Sequence, residues 1–304
     1  MRLRILGSAA GGGLPQWNCA CPNCTEARNR SGRVKPRTQD AMAVSAGDAW
    51  FLLNASPDIL RQLEAFPDLH PRSPRASPFQ GIVLLNGDLD HVLGLFSLRE
   101  STPLVIYATD AVRRGLVSGN VLFRTLQRFP EQVTWKRLEL DVRTELSGLD
   151  GATTGLSITP VALPGKVPKH LEGIAPPSPE DNIGLWIRDE RRGRLVVVAT
   201  AAGAGGDFIR RLSGADACLF DGTFWSSDEL IRLGLSSARA EDMAHLPIGG
   251  EAGSLELLRG LDVPRKIFTH INNTNPILVP GSPERRKVED AGWQVAEDGE
   301  EIAL

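Results

Sequence analysis

Cysteine and histidine are scarce in this 304-residue chain, at four and five residues, and long apolar runs are missing. No stretch approaches the roughly 18–20 uncharged apolar residues that a membrane-crossing helix requires. The longest candidates, residues 81–86 and 195–206, are strand-sized or broken by glycine. An excess of one charge is absent too. Thirty-four Lys and Arg stand against 37 Asp and Glu, a net charge of −3, which argues against nucleic acid or an anionic membrane as the main partner. Residues 1–7 alternate like an amphipathic strand and lack the apolar core and cleavage site of a secretory signal, so the expected location is cytoplasmic. Three of the four cysteines fall within six residues, which points to metal ligation in a reducing compartment rather than a disulfide framework. What the chain does have is the make-up of a folded protein, 41% hydrophobic and 23% charged, and length for one large domain or two small ones.

No repeat of 20–50 residues is visible. Residues 2–6 read as a strand ending at Gly7, followed by a polar, Gly-rich loop through residue 37. Residues 41–46 and 50–53 read as a hairpin turned at Gly47-Asp48. Ser56-Pro57-Asp58 reads as a helix start, with Ser as N-cap and Pro at the first helical position. From residue 81 a strand–loop–helix pattern repeats. Strands are predicted at 81–85, 104–107, 132–138, 156–161, 183–188, 194–199, 217–220 and 266–269. Helices are predicted at 92–99, at 110–126 with a break at Ser118-Gly119, at 207–213 and at 253–260. Residues 164–181, with five prolines, form a candidate lid loop. No composition shift marks a boundary, so the expectation is one α/β domain over residues 1–304.

Three predicted strands end in metal-competent residues. Residues 81–85 run into Asn86-Gly87-Asp88-Leu89-Asp90-His91, residues 217–220 into Asp221, and residues 266–269 into His270. In α/β folds the carboxyl ends of strands collect on one rim, where sites are built. A lone strand-end Asp most often caps a helix, and a lone His is most often a satisfied or surface residue. Three coinciding strand ends make a divalent-metal constellation the better reading.

The strand followed by N-x-D-x-D-H resembles the H-x-H-x-D-H motif of the metallo-β-lactamase superfamily, with Asp221 like its bridging Asp and His270 like its last His ligand. Asn86 and Asp88 stand where a dizinc hydrolase of that superfamily has histidine, so the resemblance implies poor retention of two zinc ions. His91 and His270, with a carboxylate from Asp88, Asp90 or Asp221, resemble a two-His-one-carboxylate face, which suits non-haem Fe(II) with open positions for O2 and substrate. The resemblance narrows further. Residues 2–19 (RLRILGSAAGGGLPQWNC), 54–58 (NASPD), 88–91 (DLDH) and 269–276 (THINNTNP) together resemble the pyrroloquinoline quinone (PQQ) biosynthesis protein B family, from the first strand to near the C-terminus. That resemblance implies an αββα sandwich, two mixed β-sheets flanked by helices. It implies a role between peptide crosslinking and final ring oxidation, with a small-molecule, peptide-derived PQQ precursor as partner. The activity implied is iron- and O2-dependent hydroxylation of the tyrosine ring of a crosslinked Glu–Tyr intermediate. An alternative is a non-catalytic carrier of PQQ or its precursor to the periplasm, and a third is a metal-dependent hydrolase. Catalytic candidates are Asp90, His91, Asp221 and His245; Ser56, Asn86 and Asn273 stand as substrate-binding candidates. A homo-oligomer is compatible with the sequence.

Cys19-Ala20-Cys21-Pro22-Asn23-Cys24 can wrap three thiolates round one tetrahedral zinc, a structural site in a loop (residues 19–24) with little core of its own. In lactamase-like relatives with this motif the fourth ligand resembles a His at the position of Asn273, which leaves His270, another His or water to complete the site. Cys218, in a buried-strand run, reads as a core residue. His245 resembles an extra active-site His of some lactamase-like hydrolases; His170 reads as a solvated lid residue and His70 as surface. Gly11-Gly12-Gly13 and residues 203–206 read as flexible loops rather than nucleotide cradles, since neither completes G-x-G-x-x-G. Lys166, Lys169, Arg188, Arg210 and Arg211 are available to meet substrate carboxylates.

Overall fold

Alternation of apolar residues builds two sheets that share one interior. The computed structural model describes residues 1–30, 32–118, 120–200 and 207–304; the glycine cluster at 203–206 and Gly119 of the predicted helix break lie outside the described residues. The strands are β1 (Arg2–Gly7), β2 (Ala41–Ser45), β3 (Trp50–Leu53), β4 (Gly81–Val83), β5 (Leu104–Ala108), β6 (Val133–Arg137) and β7 (Thr144–Ser147). They continue as β8 (Thr153–Ala162), β9 (Ile183–Asp189), β10 (Arg194–Ala199), β11 (Ala217–Asp221), β12 (Arg265–Thr269), β13 (Trp293–Val295) and β14 (Glu301–Ala303). One seven-stranded sheet has the order β14-β1-β2-β3-β4-β5-β6, the other β13-β12-β11-β10-β9-β8-β7, and both mix parallel and antiparallel pairs.

The two-residue period of a strand sets which side chains meet. Phe51 and Leu53 of β3 join Leu185 and Ile187 of β9, Leu219 of β11 and Ile267 of β12 in the layer between the sheets. Their neighbours point outward. Leu52, Ile82 and Ile106 pack under the helices α2 (Ile59–Glu64) and α4 (Asp110–Val117), and Phe220, Phe268 and Trp293 pack on the opposite face. Phe268 stacks on Trp293 with ring centroids 4.2 Å apart. The expected αββα sandwich is therefore the architecture, completed by α1 (Pro22–Asn29), α3 (Leu89–Val92), α5 (Glu229–Arg232), α6 (Ser254–Leu257) and α7 (Pro283–Asp290).

Local differences from the sequence reading have physical causes. Helicity starts at Leu89 rather than 92, because the Asp88 carbonyl accepts from His91 N and Val92 N, and continues as a 3-10 segment over Leu93–Leu98. Residues 207–213 form only a 3-10 turn, and 253–260 shrink to the single turn of α6. Ser56 sits two residues ahead of the α2 N-cap, its Oγ accepting from Asp58 N at 3.2 Å. The unpredicted α1 and α7 are strongly polar helices, α7 burying only Val288. The proline-rich segment packs inward in part: Val167 and Pro168 are buried, and a Cβ on Gly87 would stand 3.1 Å from Pro168 Cγ.

Candidate metal centres

The carboxyl ends of β4, β11 and β12 deliver their polar residues to one rim, as the parallel register of β11 and β12 requires. His270 Nε2 lies 3.3 Å from Asp90 Oδ2. His91 Nε2 lies 3.9 Å from the same Asp90 oxygen and 3.8 Å from Asp40 Oδ2; it is buried and has no hydrogen-bond partner among the described residues. The ligand atoms of Asp90, His91 and His270 fall within 4.8 Å of one another, and so do those of Asp221, His245 and His270. His270 thus belongs to both groups. Its backbone is in the left-handed region (φ 54°), an uncommon conformation for a residue with a Cβ and one that concentrates at functional sites.

Neighbours hold each ring. Asn86 Oδ1 lies 2.7 Å from His91 Nδ1, Thr223 Oγ1 2.8 Å from His270 Nδ1, and Asp221 Oδ2 2.8 Å from His245 Nδ1. Thr223 Oγ1 also lies 2.6 Å from Asp221 Oδ1, so one hydroxyl links the two groups. The His245 and His270 rings stack at 5.4 Å.

Burial and charge pull against each other here. For Asp90, burial alone would raise the carboxyl, but the His91 charge and the bond to His270 hold it well below the usual range. Burial works to lower His270, yet the hydrogen bond and charge of Asp90, with Asp40 and Asp221 behind it, lift it to about 9. Burial wins at His91, down to about 4, and at Asp40 and Asp88, each up to about 6. Asp221 is held low against burial by His245 and His270.

The cysteines form a separate cluster. Cys19, Cys21 and Cys24 bring their Sγ atoms within 4.8 Å of one another, and Asn273 Nδ2 lies 3.2, 3.6 and 3.3 Å from them. Asn273 therefore occupies the fourth side of the thiol group, while His270 stands in the other cluster. Burial works to raise the Cys19 thiol but hydrogen bonds from Cys21, Cys24 and Asn273 bring it down, whereas burial pushes Cys21 up to about 12. Three converging thiols of this kind fit a tetrahedral zinc.

Of the remaining sequence candidates, Asp88 stands at the N-cap position of α3 with its carbonyl accepting from His91 N and Val92 N, and its carboxylate makes no cap bond and lies outside both histidine groups. Asn86 is buried, and Ser56 is buried with its Oγ bonded to Gln62 Oε1 at 2.9 Å. His170 is exposed beside an apolar groove with Leu171 and Ile174, and His70 is exposed and bonded to the Glu64 carbonyl. Cys218 is fully buried, its thiol pushed up to about 12 by burial. Sequence reasoning missed Asp40, Thr223 and Asn182. Thr223 carried a signal, a hydroxyl two residues after a strand-end Asp.

Residues 49–271 match the family described as the Beta-lactamase superfamily domain. The chain is 44% identical to coenzyme PQQ synthesis protein B of Rhodopseudomonas palustris and 46% identical to that of a Methylobacterium species, each over 100% of both chains. A Zn(2+)-bound PqqB from Methylobacterium extorquens superposes with a TM-score of 0.92 at 41% identity over 100% of both chains. A diphosphatase of the PhnP family, at TM-score 0.67 and 19% identity over 100% of this chain and 97% of its own, shares the fold.

Proposed function

The chain belongs to the coenzyme PQQ synthesis protein B family within the beta-lactamase superfamily, and we propose that it is an Fe(II)- and O2-dependent hydroxylase acting on the tyrosine ring of a crosslinked Glu–Tyr precursor. The observation that carries this reading is His91 Nε2, a buried imidazole nitrogen that has no hydrogen-bond partner among the described residues and faces Asp90 beside His270. An orphaned buried donor or acceptor is costly unless something else satisfies it. Two imidazoles and one carboxylate fit a divalent first-row metal with positions to spare. His91, His270 and Asp90 would hold it, and when bound iron supplies the O2 chemistry that side chains cannot.

The protein's own residues bind, orient and move protons. Asp221 holds His245 at Nδ1, so exchange of the phenolic proton falls to His245 Nε2. Thr223 ties Asp221 to His270 and keeps both rings facing one space. Gly11 leaves the Asp90 carboxylate uncrowded, since a Cβ there would stand 3.2 Å from Asp90 Oδ2. A phenol and O2 give an ortho-quinone and water without outside electrons, whereas stopping at the catechol needs a two-electron reductant.

The test is anaerobic reconstitution of metal-stripped protein with Fe(II), then O2 uptake with a crosslinked Glu–Tyr diamino acid, with and without ascorbate. Zn(II) loading and His91→Ala are the controls. Substrate-dependent uptake with Fe(II), lost in both controls, is expected. Tight substrate binding without uptake under any metal supports the carrier reading instead; among the described residues no helix is long and apolar enough to cross a membrane.

A further inference from the structure

His91 is aimed by a relay of two carboxamides that no metal ligand explains. Asn86 and Asn182 form an isolated antiparallel bridge where the end of β4 meets the start of β9, so the relay sits at the seam of the two sheets. The backbone N–H of Asp88 donates to Asn86 Oδ1 at 3.0 Å. That donor fixes which end of the Asn86 amide is oxygen. At the far end Asn182 Nδ2 donates to the Pro164 carbonyl at 3.3 Å, which fixes the second amide the same way. Between them Asn86 Nδ2 donates to Asn182 Oδ1 at 3.3 Å. Both amide orientations are therefore set by backbone groups that have only one hydrogen-bonding sense. The Asn86 oxygen 2.7 Å from His91 Nδ1 can then only accept, so the proton of a neutral His91 must sit on Nδ1. Nε2 is left with its lone pair, buried and without a hydrogen-bond partner among the described residues, toward Asp90.

We propose that Asn86, braced by Asn182, is a positioning residue for His91: it holds the Nδ1–H tautomer and so presents the Nε2 lone pair to the metal. Asn86 stands where the superfamily motif has a His ligand, and a position lost to one metal here serves the ligand of the other. Partners behind a metal-bound histidine commonly act this way, and their loss costs about 10–100-fold in metal affinity. The inference rests on reading Asp90, His91 and His270 as a metal site.

The experiment uses the full chain and Co(II) as the probe metal. Long-range 1H–15N spectra of the histidine rings in metal-free protein report the His91 tautomer without substrate or O2. Co(II) titration reports affinity at the histidines, and thiolate-to-Co(II) absorption at Cys19, Cys21 and Cys24 reports that each variant is folded. Wild type is expected to show Nδ1–H at His91. Asn86→Ala is expected to shift the ring toward Nε2–H and to weaken Co(II) about 10–100-fold at the histidine site. Asn86→Asp keeps the accepting oxygen and should restore the tautomer and most of the affinity. Should Asn86→Ala lose the thiolate bands, Asn182→Ala carries the test, with the same direction and a smaller loss. A folded Asn86→Ala protein with the wild-type tautomer and wild-type affinity overturns the proposal. A wild type that binds no Co(II) at the histidines overturns the metal reading, and the tautomer spectra then decide the hold of Asn86 on His91 by themselves.

Discussion

Asn273 lies three residues beyond His270, yet its Nδ2 sits 3.2 Å from Cys19 Sγ while His270 Nε2 sits 3.3 Å from Asp90 Oδ2. One short turn serves two donor clusters. Asn23 of α1 clamps that turn by donating to the Asn273 and Asn275 carbonyls, each at 3.0 Å. Arg28 of the same helix donates to the carbonyls of Cys19 and Gln16 and ties down the cysteine loop. Order in the cysteine loop is therefore mechanically joined to the placement of His270.

The coupling predicts the behaviour of Cys24→Ser. Zinc at such a loop contributes on the order of 10 kcal/mol of ordering energy at neutral pH. Removing one buried thiolate donor should lower the urea midpoint and weaken Co(II) binding at His91 and His270. Asn273→His, which brings an imidazole to the fourth side of the thiols, should tighten zinc instead. Chelator competition at each site measures both effects. Wild-type Co(II) affinity at the histidines of Cys24→Ser would show that the clusters are independent.

Acid–base linkage at His270 gives a second prediction. Its folded pKa, about 9, lies above its ordinary value near 6.5. Its contribution to the stability of the metal-free protein is thus fully present below about pH 6.5 and is lost as pH rises through about 9. A metal ion must displace the proton that Asp90 holds on Nε2. Apparent metal affinity should therefore climb about tenfold per pH unit over the same window, with proton release on binding. Calorimetry in buffers of different ionisation heat measures the released proton, and a flat affinity profile from pH 6.5 to 9 would contradict the assignment.

Gly11 tests the space beside Asp90. A Cβ there would stand 3.2 Å from Asp90 Oδ2, tighter than ordinary contact, and nothing else in the loop meets it first. Gly11 is exposed, so Gly11→Ala should leave the melting temperature within about 2 °C of wild type, as for most surface changes. The carboxylate must give way, and metal affinity at the histidines should fall several-fold. Unchanged affinity would mean that Asp90 does not ligate from this rotamer.

Much of the site was legible because β4, β11 and β12 lie in parallel ladders buried on both faces. Such strands read as unbroken apolar runs, and the residues just past their ends must stand on the rim. Asp90, His91, Asp221 and His270 were found that way. Asp40 was not, because β2 runs antiparallel to β1 and β3 and reaches the same rim by its amino end, which a rule about carboxyl ends overlooks. Asn182 precedes β9 for a similar reason: β9 is antiparallel to β10. Asn273, expected near substrate, went to the thiols, since nothing local says on which side of a turn an amide faces. The helix start was also displaced. Ser282-Pro283 caps α7 with Ser282 Oγ accepting from Arg285 N at 3.0 Å, while the equivalent signal at Ser56-Pro57 makes a turn ahead of α2. The cap signal is local, and whether a helix continues from it depends on the face available for burial.

The Asp221–His245 pair carries the last prediction. His245 Nδ1 lies 2.8 Å from Asp221 Oδ2, and the fully buried carboxylate is held ionised by His245 and His270 despite burial. A carboxylate fixed on Nδ1 leaves Nε2 to exchange protons, which is the general-base arrangement, typically contributing about 10²–10⁴-fold to rate. His245→Gln keeps the bond to Asp221 but cannot take a proton. It should retain Fe(II) at His91, His270 and Asp90 while substrate-dependent O2 uptake drops by about 10²-fold or more. A substrate already carrying an ionised phenol, such as a nitrated ring, should recover much of the loss, since its proton no longer has to be removed. Iron content by metal analysis separates this outcome from loss of the metal. Full activity of an iron-loaded His245→Gln protein would assign the proton to another group.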